Sequence, residues 1–231
     1  MWRRMYKDNR EDIYEGEIDY SYIALMSKKL RIGVVGAGKA GTIKIKHFVK
    51  NKCYVEVLSK TFDDEIINIS NEYSNLKLID DEFTYKFLKD KHLVIIAVDD
   101  ELIHYEIKKY CEDNYKIYID SSNFKNGMGI VPAEQNTKNM KVALNTKGGN
   151  PRGAILVSKK IKQVLEDYDD FIGFTTDIRN KTKAFPEFKT EILKFIGSEE
   201  FKELYDIGKA EEGLEARFPK LVVDSLCNKN Y

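Results

Sequence analysis

Short apolar runs rich in β-branched residues recur through the first two thirds of the chain. They are LRIGVVGA from Leu30, VEVLS from Val55, LKLI from Leu76, HLVIIAV from His92 and KIYID from Lys116. Uninterrupted apolar runs of this length predict strands buried on both faces, as in a parallel sheet. Between them the apolar positions fall three and four apart. AGTIKIKHFVK puts Ile45, Phe48 and Val49 on one helical face, and ELIHYEIKKYCED does the same with Leu102, Ile103 and Ile107. Strand and helix alternate, which predicts βαβ units and a doubly wound parallel sheet.

After Asp120 the pattern changes. SSNFKNGMGIVPAEQNTKNM, rich in Ser, Asn and Gly, reads as a long loop, and KVALNT from Lys141 as one further strand. From Gly153 the spacing is helical, first in AILVSKKIKQVLEDY and then in FPEFKTEILKFIG, where Pro186 suits a first turn and Gly197 a stop. A last helical pattern follows Ser198 through EEFKELYDIG. The predicted fold class is α/β: a Rossmann-like parallel sheet over residues 1–131, a short segment over 132–160, and a helical region over 161–231.

The first run ends in VVGAGKAG, a GxGxxG sequence between a predicted strand and a predicted helix. In that setting Gly36 lets the chain turn sharply, Gly38 lets backbone approach a pyrophosphate, and Gly41 lets helix and strand pack closely. The phosphates rest on the helix N-terminus beside the backbone of Lys39 and Ala40, where free N–H groups and the helix dipole favour negative charge. At the end of the second strand, where an acid commonly holds the adenosine ribose, the chain instead has Ser59, Lys60 and Thr61. Lys60 suits a 2′-phosphate, and it equally suits a solvated surface, so the residues alone leave NAD and NADP both open. Ala97 and Val98 open the loop that passes the cofactor after the fourth run. Asp99 and Asp100 beyond them read as first-turn acids of the following helix.

Composition narrows the functional classes. The 231 residues carry 38 Lys and Arg against 38 Asp and Glu, a formal net charge of +0, so no global field draws the chain to nucleic acid or to an anionic membrane. Any anionic ligand meets a local basic pocket. The charged N-terminus, MWRRMYKDNREDIYEGEIDYSY, lacks the apolar core of a signal peptide. No segment approaches the roughly 18 apolar residues of a membrane span. Cys53, Cys111 and Cys227 are odd in number and form no CxxC pair, which reads as reduced thiols in a cytoplasmic protein. His47, His92 and His104 show no metal-ligand spacing, so no stored metal is predicted.

Five segments in register resemble the precorrin-2 dehydrogenase family, the dehydrogenase/chelatase module of siroheme synthases. They are VVGAG with Lys44 on the next helix, VEVLSKTF, AVDD over Ala97 to Asp100, YID ending at Asp120, and NTKGGNPRGA from Asn145. The leading YSYIALMSKK is similar to the short strand that precedes the family's first βαβ unit. Within the pattern, Val98 stands where the family usually has Thr, and His104 where it often has Asn. The resemblance implies NAD as cofactor, a tetrapyrrole substrate, a central segment over 132–160 that builds a homodimer, and oxidation of precorrin-2 to sirohydrochlorin. Some members of the family also insert ferrous iron in the same cleft. It also implies that Asp120, at a strand end where α/β sheets bind ligands, is the catalytic acid group. An Asp opening a turn before SSN is the plain alternative. Asn145, Thr146, Lys147 and Arg152 are implied to lie near the substrate's carboxylates, with a solvated loop as their plain alternative. The glycine loop by itself also admits another Rossmann oxidoreductase acting on a small acid or imine, or a non-catalytic nucleotide sensor.

Overall fold

The computed structural model describes residues 18–227. Residues 1–17, which carry most of the N-terminal stretch from which a cytoplasmic protein is predicted, lie outside the described residues. The chain divides into two compact units, one over 20–131 and the other, among the described residues, over 18–19 and 132–227. Among the described residues no helix is long and apolar enough to cross a membrane.

The first unit holds five parallel strands: β1 (Arg31–Val35), β2 (Tyr54–Ser59), β3 (Leu76–Asp80), β4 (Leu93–Ile96) and β5 (Ile117–Asp120). Their order is β3-β2-β1-β4-β5, so the winding direction reverses between β1 and β4. The connecting helices are α1 (Lys39–Lys50), α2 (Asp64–Glu72), the short α3 (Tyr85–Leu88) and α4 (Glu101–Asp113). Alternate strand residues feed two cores. Ile32, Val34, Val55, Val57 and Ile95 pack with Ile45 and Val49 of α1 and Ile66 and Ile69 of α2. Val35, Leu58, Val94, Ile96 and Tyr118 pack with Leu88 of α3 and Ile107 and Cys111 of α4. Burial on both faces is why each strand is one unbroken apolar run. The helical face predicted for α4 is narrower than its pattern implies, because Leu102 is 78% exposed while Ile107 is fully buried. The resemblance of 20–29 to a strand is not realised either: the backbone is irregular there and ends in a single 3-10 turn at Ser27–Lys29.

One polar pair interrupts the apolar interior. Lys91, just before β4, and Glu56, in the middle of β2, are both buried, with Lys91 Nζ 2.6 Å from Glu56 Oε2. Lys91 Nζ also meets Asp90 and lies over the Phe87 ring. Burial pushes the Glu56 carboxyl up, but Lys91, Tyr54 and Lys77 together hold it below its ordinary value.

In the second unit, β6 (Ala133–Asn136) and β7 (Lys141–Leu144) form an antiparallel hairpin, so the loop read from SSN onward contains a strand. The hairpin turn is held by Asp169 of the 31-residue α5 (Pro151–Lys181), which accepts from the Thr137 hydroxyl and from the Lys138 and Asn139 N–H groups. Asn150 caps α5 by accepting from the Gly153 N–H at 2.8 Å, with Pro151 next in line. Because α5 continues through 160 and 161, the boundary predicted there falls inside one helix. The C-terminal half of α5 buries Phe171 and Ile178 among residues of α6 (Lys189–Ile196), α7 (Glu199–Asp206), α8 (Ala210–Glu215) and α9 (Lys220–Cys227). Pro186 precedes α6 by three residues instead of starting it, whereas Gly197 and Ser198 cap α6 and α7 as their residue types predict.

Lys91→Met leaves Glu56 buried without its partner and should lower stability at neutral pH by about 3 kcal/mol. Lys91→Met with Glu56→Leu should recover most of that loss. Since the folded Glu56 pKa is depressed, its contribution is present above the ordinary carboxyl range and fades as pH falls through the folded value. Urea unfolding of the three proteins at neutral and acid pH measures both effects.

Candidate active site

At the reversal point the C-terminal ends of β1 and β4 face a cleft of about 690 Å³, within the range that small-molecule sites take. Gly36, Gly38, Lys39, Ala40, Ser59, Lys60, Thr61, Ala97 and Val98 all line it, so the residues predicted to hold a cofactor are brought together. Gly41 lies behind them, buried.

The three glycines differ in what they permit. Gly36 has φ +96°, and a Cβ there would sit 2.2 Å from the Ala97 carbonyl oxygen. A Cβ on Gly41 would meet the Gly36 carbonyl oxygen at 2.9 Å. These two let β1, β4 and the first turn of α1 crowd together. Gly38, with φ −71°, is the N-cap of α1, and a Cβ there would meet nothing within 4 Å. Its open face is the space a nucleotide would fill. No side chain caps α1, so its first N–H groups, which have no partners within the helix, are available to an anion. A dinucleotide therefore fits the residues present: the Lys39 to Gly41 N–H groups would hold its pyrophosphate, and the β2 end its adenosine ribose.

Around that core the polar residues are committed in different ways. The Ser59 hydroxyl donates to the Thr61 carbonyl at 2.8 Å. Lys60 is exposed and donates to Glu82 at 2.9 Å, a contact that raises its pKa. Asp100 accepts from the Leu102 and Ile103 N–H groups, the N-cap role its position predicts. Asp63, Asp81 and Phe83, which the sequence reading did not single out, also line the cleft. The signal for Asp81 was its place just past a predicted strand.

Asp120 ends β5, level with Ile96 of β4. Its side chain is fully buried. One carboxylate oxygen, Oδ1, accepts from the Ser122 N–H at 2.8 Å, the Ser122 hydroxyl at 2.7 Å and the Asn123 N–H at 3.0 Å. The other, Oδ2, lies 2.8 Å from His104 Nε2 on α4. Burial alone would raise this carboxyl, but the donors from Asn123 and Ser122 and the facing His104 outweigh it, and its pKa falls below the ordinary value. Lys44 of α1 faces the same charge; its own pKa is lowered by burial more than Asp120 raises it. Next to Asp120, the Ser121 hydroxyl is buried with no hydrogen-bond partner among the described residues.

Comparison with known proteins bears on this arrangement. Residues 23–133 match a family model described as "Putative NAD(P)-binding". A Methanocaldococcus jannaschii protein named "Putative precorrin-2 dehydrogenase" is 27% identical over 195 residues, covering 78% of this chain and 92% of that one. The precorrin-2 dehydrogenase of Priestia megaterium is 23% identical over 190 residues, covering 78% and 91%. Over 78% of its length the chain is thus similar to two proteins that carry the name precorrin-2 dehydrogenase, and residues 23–133 match the NAD(P)-binding model. The solved structure of "SirC, precorrin-2 dehydrogenase" superposes with a TM-score of 0.61 at 22% identity, covering 85% of this chain and 98% of that one, and so shares the fold.

The residues that the family resemblance places near a tetrapyrrole belong to the second unit. Asn145, Thr146 and Lys147 lie between β7 and α5, and Arg152 is exposed in the first turn of α5. The Thr146 hydroxyl accepts from the Asn150 N–H at 2.6 Å, and the Lys147 carbonyl from the Ile18 N–H at 2.9 Å. Burial pushes the Cys111 thiol up to about 12, which leaves it inert. Sequence reasoning noted His104 only as an unusual residue at its position. Its pairing with Asp120 was missed because the two are joined by the fold and not by a motif.

Gly36→Ala should cost about 2 kcal/mol or more of stability, since it combines a left-handed φ with overlap on Ala97. Gly38→Ala should stay within about 1 kcal/mol of the parent, because Ala is only a poorer N-cap than Gly. It should nevertheless weaken NAD binding about tenfold, 1.4 kcal/mol, by filling the open face. Thermal melts and calorimetric titration with NAD separate the two effects.

Proposed function

We propose that the protein oxidises precorrin-2 to sirohydrochlorin with NAD. The observation that carries this reading is the conjunction, in one unit, of a glycine loop open to a dinucleotide and a buried, hydrogen-bonded carboxylate at the neighbouring strand end. The names of the two curated relatives support the substrate. When bound, NAD supplies the acceptor for a hydride. This chain's residues do the rest. The first turn of α1 would hold the pyrophosphate, Ala97 and Val98 would form the wall beside the bound cofactor, and Asp120 provides the negative charge on which proton removal depends. Asn145, Thr146, Lys147 and Arg152 bind the substrate, the two cations answering its carboxylates. Lys60 is occupied by Glu82, which favours the plain ribose of NAD over a 2′-phosphate.

A homodimer is part of the reading. The N-terminal half of α5 leaves Ile155, Leu156, Val157 and Val164 each between 47% and 65% exposed, an apolar stripe that supports cover by a second copy. The segment 132–160, with Val164 one turn beyond it on the same helix, would supply that interface. A cytoplasmic setting is part of the same reading.

Anaerobic incubation with precorrin-2 and NAD should give the absorption of sirohydrochlorin and one NADH for each product. NAD binding with no spectral change would indicate a sensor instead. Ferrous iron added to the same assay tests the chelatase half of the family pattern: siroheme formed above the protein-free rate supports it. Asp120→Asn should retain NAD binding and lose turnover by at least about a hundredfold. Sedimentation at micromolar protein should give a dimer, and Leu156→Glu with Val164→Glu a monomer.

A further inference from the structure

We propose that His104 is the group that takes the proton during this oxidation, and that Asp120 acts through it as a positioning residue. The inference rests on the dehydrogenase reading and assigns the proton within it.

The Asp120 carboxylate has no exposed surface, and both its oxygens are engaged: three donors converge on Oδ1, and the imidazole meets Oδ2. A substrate can reach it only by breaking those contacts. His104 keeps 20% of its side-chain surface exposed, so the pair meets its surroundings through the imidazole ring. The carboxylate fixes the ring. With Asp120 ionised, Nε2 carries the proton that points at Oδ2, which makes Nδ1 the basic nitrogen of the neutral imidazole. No hydrogen bond to Nδ1 is formed among the described residues. A buried carboxylate behind a partly exposed imidazole is the arrangement that orients a general base and stabilises its protonated form. The charges that bear on the pair are Asp120 itself, from β5, and Lys44 from α1, which faces Asp120.

The step balances. Precorrin-2 loses two hydrogens: one leaves with its electron pair as hydride and reduces NAD to NADH. The other leaves as a proton to His104 Nδ1, and its bonding electrons remain in the macrocycle as the new double bond. Release of the proton to water restores the neutral ring.

His104→Asn keeps an N–H donor for Asp120 but has no base. It should bind NAD within about twofold of the parent and change KM for precorrin-2 little, while kcat falls about a hundredfold or more. The acid limb of the kcat–pH profile should vanish with it. Imidazole added to His104→Ala should restore part of the rate, which a merely structural role would not allow. A second readout needs no turnover: nitrogen NMR of labelled histidine should show the neutral ring protonated on Nε2, and Asp120→Asn should abolish that preference. A wild-type ring protonated on Nδ1, or a His104→Asn protein with wild-type kcat and acid limb, overturns the assignment and leaves the dehydrogenase standing. A wild-type protein that binds NAD and never converts precorrin-2 overturns both.

Discussion

At the end of β1 the chain turns away against β4 with no room for a side chain. Gly36 sits at φ +96° with the Ala97 carbonyl where its Cβ would be, and Gly41 packs the first turn of α1 against the same corner. Everything in the first unit that bears on chemistry follows from this contact. It lets β1 and β4 pair in register up to Val35 and Ile96 while their two exits diverge. The divergence opens the crevice, and α1 then begins at its rim with unused N–H groups. Because β5 pairs with β4 and ends at the same level, Asp120 arrives at the strand end beside Ile96 without any motif of its own.

What could be read from the sequence and what could not divides along a physical line. The five parallel strands were legible because both faces of each are buried, so their apolar runs are uninterrupted and self-evident. The glycine loop was legible because its function is local: three small residues, one strand before, one helix after. The strand β6 was hidden because AEQN carries no apolar run. Its place is fixed by pairing with β7 and by Asp169 of α5, more than thirty residues further on. Leu102 misled because helical periodicity shows which residues share a face and not how far the neighbouring layer reaches. The partnership of His104 and Asp120 was invisible for a related reason. Asp120 has the same strand parity as Tyr118, which packs toward α4, and only that parity, with the register of β5, turns it toward His104.

Charge tells a similar story through two lysines. Lys60 with Glu82 and Lys91 with Glu56 are the same pairing of residue types in a chain of zero net charge. The first pair is mostly exposed, so solvent screens it and it adds little to stability. The second is buried, and there Lys91 and Glu56 sustain one another's charge with help from Asp90, Tyr54 and Lys77. Composition cannot distinguish them. Burial does, and burial is a property of the fold.

Burial also decides how a strand-end carboxylate can serve an oxidation. An acid that accepts a proton from a substrate needs a free lone pair, contact with the substrate and a pKa high enough to hold the proton. Asp120 has four hydrogen-bond contacts, no exposed surface and a pKa held below the ordinary carboxylate range. Each of these weakens it as an acceptor, and each strengthens it as a fixed negative charge, because a carboxylate that stays ionised and immobile is what sets a neighbouring imidazole's tautomer and steadies its cation. The turn that SSN makes after β5 is therefore not a competing explanation for Asp120. The backbone and hydroxyl donors of that turn hold the carboxylate ionised, and in doing so they pass the proton chemistry to the residue beside it.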